Sequence, residues 1–364
     1  MPDLFDYLTW RGDIPMTQVP LCPVDCHVLS ALVYVQFHDI LPAGLSGTVT
    51  VGQAAKAYLA RPQDQRGPVR VKADLSLLEA IQKAPRFSEL GLCFYDDRFV
   101  PEEEMQFAAM AVLLGDGSAA LIFRGTDSTM VGWKEDFNMS FMDSVPAQRA
   151  AVEYAERFAA QFCGPITLAG HSKGGNLAVY AAANCQPRVR DRIRCVYNLD
   201  GPGFPAVFLE CPGYQEMLPR IHTFVPQSSI FGMMLEHEET YTVVKSRHIG
   251  VFQHDPYTWE ILGGDFVRLE EVTAGSRIFD RTAKAWIAQL SPADRSTLVD
   301  AIFDLITAGD VDHTDELLRP ASLLAALKAL KDTDDKTRRL MADSLARFLR
   351  TAVSTVKENL RERE

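Results

Sequence analysis

Short apolar runs separated by polar turns fill the first two-thirds of the chain, and longer helical stripes fill the rest. After an opening stretch with four prolines before Val24, the apolar positions over 28–37 predict a short buried helix. Segments 53–59 and 75–81 predict two further helices, separated by the polar turn 61–67. The apolar runs 107–114 and 119–123, joined by Gly115-Asp116-Gly117-Ser118, predict a β-hairpin. Over 147–162, apolar residues fall at Ala151, Val152, Tyr154, Ala155, Phe158, Ala159 and Phe162, the spacing of an amphipathic helix. Short β-prone runs follow at 195–199, 221–225 and 241–244. Strands alternating with helices predict an α/β fold, a mostly parallel central sheet with helices on both faces.

From Ser291 the pattern turns wholly helical. Ser291 is placed to cap a helix with Pro292 at its first position and Asp294 in its first turn, and Gly309 ends it. A last long helix sets Leu340, Met341, Leu345, Phe348, Leu349, Val353 and Val356 on one stripe, and 357–364 reads as solvated charge. No low-complexity linker intervenes. The expected division is a sheet-containing domain over 1–289, including the N-terminal segment, and an appended helical subdomain over 290–364.

Composition narrows the function. The 364 residues are 47% hydrophobic and 23% charged, with a net charge of -11 that opposes nucleic acid binding. The seven cysteines (Cys22, Cys26, Cys93, Cys163, Cys185, Cys195, Cys211) are scattered and odd in number, which suits reduced thiols better than a disulfide framework. Cys22 and Cys26 lack the second pair that a zinc site needs. The first residues carry acid where a signal peptide needs base, and no uncharged stretch reaches membrane-spanning length. The expectation is a cytoplasmic protein without stable membrane insertion.

The chemistry centres on 166–180. An apolar strand there meets a pinched turn, Gly170-His171-Ser172-Lys173-Gly174, and a small-residue helix follows. This is the G-x-S-x-G nucleophile elbow, which lifts a serine hydroxyl above a sheet and aims the next backbone N–H at a developing oxyanion. The bland alternative is a glycine-rich turn with a bystander serine. A nucleophilic serine also needs a second oxyanion donor, an acid and a base. Strand 120–123 ends in Arg124-Gly125-Thr126-Asp127, so the Thr126 N–H is the candidate partner to that of Lys173. Arg124 is expected to pin this loop through a carboxylate. Asp200 ends the 195–199 strand on the stiff turn Asp200-Gly201-Pro202-Gly203, which suits the acid, with loop capping as its alternative. For the base, His254 lies on a late loop beyond the last strand, with His248 as runner-up. His222 falls in a strand as a packing residue, His237 sits in an acidic run read as a solvated face, and Asp255 reads as a turn or cap.

Two blocks carry a family resemblance. Phe123-Arg124-Gly125-Thr126, followed by Trp133-Lys134-Glu135-Asp136-Phe137, resembles the FRGT…DWxxDL block of class 3 (fungal-type) lipases. Gly170 to Ala178 resembles their GHSxGGxLA elbow. The resemblance implies an α/β-hydrolase fold, an oxyanion role for Thr126 and a bracing role for Asp136. The chain also resembles an uncharacterised bacterial family of lipase-like proteins over most of 1–265, through 6–13, 225–233, 253–256 and the lysine after the serine. It departs from class 3 lipases in the acid, which in them follows the next strand; here 221–226 offers Thr223. An acid at Asp200 is similar instead to the pancreatic-type lipases. Lys173 is unusual where lipases favour apolar residues, and its side chain would either meet an anionic substrate group or face solvent. Residues 230–235 would line an acyl pocket, act as a lid, or pack in the core.

These features together point to a serine hydrolase that cleaves a carboxylic ester, with a small-molecule or lipid ester as substrate. Ser172, His254 and Asp200 are its triad, Thr126 and Lys173 its oxyanion donors, and it needs no metal or organic cofactor. The rival from another class is a catalytically inactive binding protein that keeps the fold. A third reading, membrane-surface attachment through the last helix, meets an objection: that helix mixes Asp343 and Glu358 with Arg347 and Arg350, so it lacks a uniformly basic face.

Overall fold

The computed structural model describes residues 1–67, 69–309 and 311–361; the charged tail expected over 357–364 lies outside the described side chains. Among the described residues eleven strands are formed: β1 (Val49–Thr50), β2 (Gly91–Val100), β3 (Met105–Leu113), β4 (Ala119–Phe123), β5 (Ile166–His171), β6 (Ile193–Leu199), β7 (Ile221–Pro226), β8 (Tyr241–Val244), β9 (Ile261–Leu262), β10 (Asp265–Phe266) and β11 (Arg268–Leu269). Nine of them make one sheet in the order β1-β2-β3-β4-β5-β6-β7-β8-β11, and β9 and β10 pair separately. Strands β4 to β8 run parallel through its middle, while β1 to β4 on one side and β8 with β11 on the other pair antiparallel.

Side chains alternate across the strands, and the core divides accordingly. On β4, Ala120 and Ile122 point into a layer built by the N-terminal helices, whose buried members include Leu29, Tyr58 and Leu78. Ala119, Leu121 and Phe123 point the other way, onto Tyr154, Phe158, Leu177 and Ala181. Those residues belong to helices Pro146–Gln161 and Lys173–Asn184. A parallel-centred sheet covered by helices on both faces, with a strand–serine–helix turn at its middle, is an α/β-hydrolase fold.

Several boundaries differ from the periodicity. The first buried helix is Pro23–Leu32, not 28–37: Pro23 supplies a first-turn proline, and the chain turns at Val33. Strand β2 was not anticipated, because its outer half, Asp96-Asp97-Arg98, is polar and a bulge interrupts its pairing with β3. Helix Ala274–Ala288 also escaped the pattern, although Thr273 caps it on Ser276 N–H.

The C-terminal helices pack on the segment after β4. Met130, Val299, Phe303 and Val311 form a small separate core. Met130 N–H donates to Asp312 O at 2.8 Å and Thr314 N–H to Ser128 O at 2.9 Å. Lys134 Nζ lies 2.8 Å from Asp300 Oδ1, and the rings of Phe137 and Phe303 are 5.7 Å apart. Helix Pro292–Thr307 is therefore fixed to helix Met130–Asn138, which carries one wall of the candidate site.

Candidate functional site

Ser172 joins β5 to helix Lys173–Asn184 with φ +58° and ψ -134°, a conformation that costs a non-glycine residue on the order of 1–3 kcal/mol. Close packing enforces it. A Cβ on Gly174 would sit 2.1 Å from the Phe123 carbonyl oxygen, and one on Gly170 would sit 2.2 Å from the Gly174 backbone. Ser172 N–H donates to Leu199 O at 2.9 Å, tying the elbow to β6. Its hydroxyl is half-buried and makes no hydrogen bond among the described residues.

Asp200 is the residue after β6. It also has positive φ (+55°) and is wholly buried, with its N–H on Phe224 O at 2.8 Å. Its Oδ2 accepts from His254 Nδ1 at 2.6 Å, and its Oδ1 from Ser229 Oγ at 2.5 Å. Ser229 is a partner that the sequence did not suggest. A hydroxyl in a turn after a strand has no distinguishing spacing.

His254 ends the 3-10 turn Gly250–His254, and several ties hold its backbone. His171 Nε2 lies 2.7 Å from His254 O. A carbonyl only accepts, so Nε2 carries the proton, and Tyr34 OH donates to His171 Nδ1 at 3.0 Å. Burial first, then the neighbouring His254 and Arg70, holds His171 well below the ordinary imidazole range, consistent with this neutral tautomer. Trp259 Nε1 donates to Gln253 O at 2.9 Å and His27 Nε2 to Pro256 O at 2.9 Å. The His254 ring lies 4.6 Å from that of His171 and 4.4 Å from that of Phe231, the latter a wall of the pocket that also contains Ser172.

The other histidines lie elsewhere. His248 is exposed, and His222 stacks on Tyr197 with centroids 5.4 Å apart. Asp255 caps the turn Pro256–Thr258 and pairs with Arg70 at 3.3 Å. The solvated face expected around His237 is corrected. His237 Nδ1 sits 3.1 Å from a buried Glu239, whose Oε1 also accepts from Thr223 Oγ1 and whose Oε2 accepts from Tyr214 OH, each at 2.6 Å. Burial opposes its charge, but His237 and those hydroxyls outweigh it and hold Glu239 down to about 2. Thr223, on β7, thus belongs to a buried hydrogen-bond network around Glu239.

The loop after β4 is braced twice. Arg124 is buried and donates to both carboxylate oxygens of Asp97 at 2.8 and 3.0 Å. Thr126 Oγ1 donates to Asp136 Oδ2 at 2.6 Å. Among the described residues the amides of Thr126 and Lys173 donate to no protein acceptor, and Lys173 opens a helix whose dipole favours negative charge at that end. Burial pushes Asp136 up to about 6, against the pull of Lys173 and the Thr126 hydroxyl.

The side chain of Lys173 contradicts both expectations for it. It turns inward, fully buried, with Nζ 2.9 Å from Glu135 Oε2, 2.9 Å from Gln106 O and 3.0 Å from Gln106 Oε1. Glu135 also accepts from Gln106 N–H at 3.1 Å and Ala147 N–H at 2.8 Å. Glu135 stood in plain view in Trp133-Lys134-Glu135-Asp136-Phe137, but nothing in the sequence pairs it with a residue thirty-eight positions away.

Beside Ser172 a small apolar pocket of about 50 Å³ is walled by Trp133, Phe137, Met139, Phe231, Met234 and Leu235. Segment 230–235 divides its roles, since Met233 packs in the core with Val225 and Val243 while Phe231, Met234 and Leu235 face this pocket. A larger cleft of about 820 Å³ is lined by Tyr34, Arg124, Ser128 and His313 among others, and Ser172 is not in its walls.

The elbow, the buried acid–imidazole pair and the braced loop on a parallel-centred sheet define a lipase-like α/β-hydrolase fold. Residues 81–304 match the Mbeg1-like family, more than half of the chain, and the protein belongs to that family. No curated protein matches it. Among solved structures it is similar to the Rhizomucor miehei lipase propeptide complex, at 15% identity over 56% of this chain and 67% of that one, with a TM-score of 0.36. It is also similar to a triacylglycerol lipase from Penicillium expansum, at 10% identity over 51% of this chain and 86% of that one, with a TM-score of 0.31.

Proposed function

We propose that this protein is a serine hydrolase of carboxylic esters, acting on a lipid or acyl ester through an acyl-enzyme. The observation that carries the reading is His254 Nδ1 held 2.6 Å from a buried Asp200 within an α/β-hydrolase scaffold whose strained elbow presents Ser172. With Nδ1–H donated to Asp200, His254 keeps Nε2 as an acceptor. It takes the Ser172 proton as Oγ attacks the ester carbonyl, and returns it to the alkoxide that leaves. The Thr126 and Lys173 amides hold the oxyanion; losing one such donor typically costs ~3 kcal/mol of transition-state stabilisation. Water, deprotonated by His254, then attacks the acyl-enzyme and frees the acid and Ser172. The pocket walled by Trp133, Phe231 and Leu235 takes the acyl group. At about 50 Å³ it accepts a short chain as it stands, and a long one requires the Phe231 segment to move.

A fluorophosphonate probe tests this. Wild type is expected to label at Ser172 and Ser172→Ala to remain unlabelled. Asp200→Asn should lower ester turnover about 10⁴-fold, because an amide leaves the imidazole in the wrong tautomer. A soluble, folded wild type that neither labels nor cleaves p-nitrophenyl butyrate would establish a binding protein instead.

A further inference from the structure

Segment 225–233 supplies no member of the triad and no oxyanion donor, yet it touches the acid, the base and the acyl pocket at once. Its first residues end β7, and Ser229 N–H donates to Pro226 O at 2.9 Å, closing a tight turn after the strand. Two neighbours in that turn reach different members of the acid–imidazole pair. Ser228 N–H donates to Gln253 Oε1 at 2.7 Å, on the residue before His254. Ser229 is buried and gives its single hydroxyl proton to Asp200 Oδ1 at 2.5 Å, the oxygen that His254 does not use.

The same hydroxyl oxygen holds the pocket wall. Ser229 Oγ accepts from Gly232 N–H at 3.0 Å, which leaves its own proton directed at Asp200. That N–H belongs to the peptide unit leaving Phe231, the pocket wall whose ring lies 4.4 Å from the His254 ring. Only glycine lets the turn close on the acid: a Cβ on Gly232 would sit 2.2 Å from Asp200 Oδ1 and 3.0 Å from Ser229 Oγ. Either side of the turn is anchored, by Ser276 Oγ donating to Ser229 O at 2.5 Å and by Gly203 N–H donating to Met234 O at 2.9 Å. A chain too long for the pocket must displace the Phe231 segment, and moving that peptide unit withdraws the Gly232 donor from Ser229.

We infer that Ser229 is a positioning residue for ester hydrolysis, and that through Gly232 it makes the alignment of Asp200 depend on what fills the acyl pocket. With a short acyl chain Phe231 stays in place, Gly232 N–H fixes the Ser229 rotamer, and the hydroxyl sets the plane of the Asp200 carboxylate against His254. With a long chain Ser229 Oγ loses its donor and turns away from Asp200, so the carboxylate that orients the imidazole loosens. This role, which rests on the reading of Ser172, His254 and Asp200 as a triad, makes acyl length register in kcat as well as in KM. A serine that only packed in the core would affect stability and leave acyl length without influence on the acid.

Ser229→Ala, assayed in the full chain with p-nitrophenyl butyrate and p-nitrophenyl octanoate, tests this. On butyrate the variant should lose about tenfold to a hundredfold in kcat, the scale of a misplaced catalytic group, with KM unchanged. On octanoate the contact is already broken in wild type, so the variant should lose about twofold at most. Ser229→Cys fills the same space with a weak donor and should show the same pattern, which keeps the test open if the alanine variant does not fold. Proton NMR supplies a readout without turnover: the low-field signal of His254 Nδ1–H on Asp200 should move in either variant. Equal kcat losses on both esters, no loss on butyrate, or an unmoved signal would overturn the proposal. A wild type that cleaves neither ester, with a signal that still moves in the variants, would sink the hydrolase reading and leave Ser229 setting the Asp200–His254 contact.

Discussion

Replacing Lys173 by Met removes an ammonium while keeping the length of the side chain. Lys173 and Glu135 are each fully buried, so neither charge has water to fall back on. Without Nζ, Glu135 keeps the Gln106 and Ala147 amides but loses its counter-charge, and both Gln106 oxygens lose a donor. Breaking a buried pair from one side typically costs ~3–5 kcal/mol, because a desolvated charge is left behind. The double variant Lys173→Met, Glu135→Gln removes that charge as well, and should be less destabilised than the two single losses combined by ~1–3 kcal/mol. Chemical denaturation followed by tryptophan fluorescence measures all four proteins. A second readout follows from position: Glu135 precedes Asp136, the brace of Thr126, so the single variant should lower kcat more than it raises KM. A Lys173→Met protein within about 1 kcal/mol of wild type, or strict additivity of the pair, would refute the reasoning.

The elbow and the Asp136 brace of Thr126 each offer a sharper test. Gly174→Ala forces a Cβ to 2.1 Å from the Phe123 carbonyl oxygen, a backbone atom that cannot swing away, and should cost ~3 kcal/mol or more or abolish soluble expression. Asp136 predicts a pH effect. Its folded value near 6 lies above its ordinary one of 3.8, so its contribution to stability is fully present below 3.8 and lost as pH rises through 6. Asp136→Asn still accepts from Thr126 and carries no charge. It should therefore gain on wild type between pH 4 and 6, reaching on the order of 3 kcal/mol above that, by thermal melting across pH. A constant difference at all pH values would remove Asp136 as the titrating group.

Local pattern carried much of this protein. Strand periodicity marked β3 and β4 to within two residues, because both are apolar and bounded by turn residues. The elbow was legible because its glycines fall at fixed places around the serine: Gly170 is demanded by the Gly174 backbone four positions on, although the clash that Gly174 avoids is with Phe123 on β4. Thr126 and Asp136 were linked only through a resemblance. Asp200 and His254 were reached by chain order and loop position, and their 2.6 Å contact joins residues fifty-four positions apart. What the sequence determined by itself is therefore whatever sterics and periodicity write into neighbouring residues: the strands, the pinched serine and the caps. Only tertiary structure decided the inward turn of Lys173 onto Glu135, the seat of Asp200 on Ser229, the pairing of His237 with the buried Glu239 and the side of the last helix left bare. Each depends on charges and hydroxyls brought together from distant segments, where desolvation rather than sequence neighbours selects the partner.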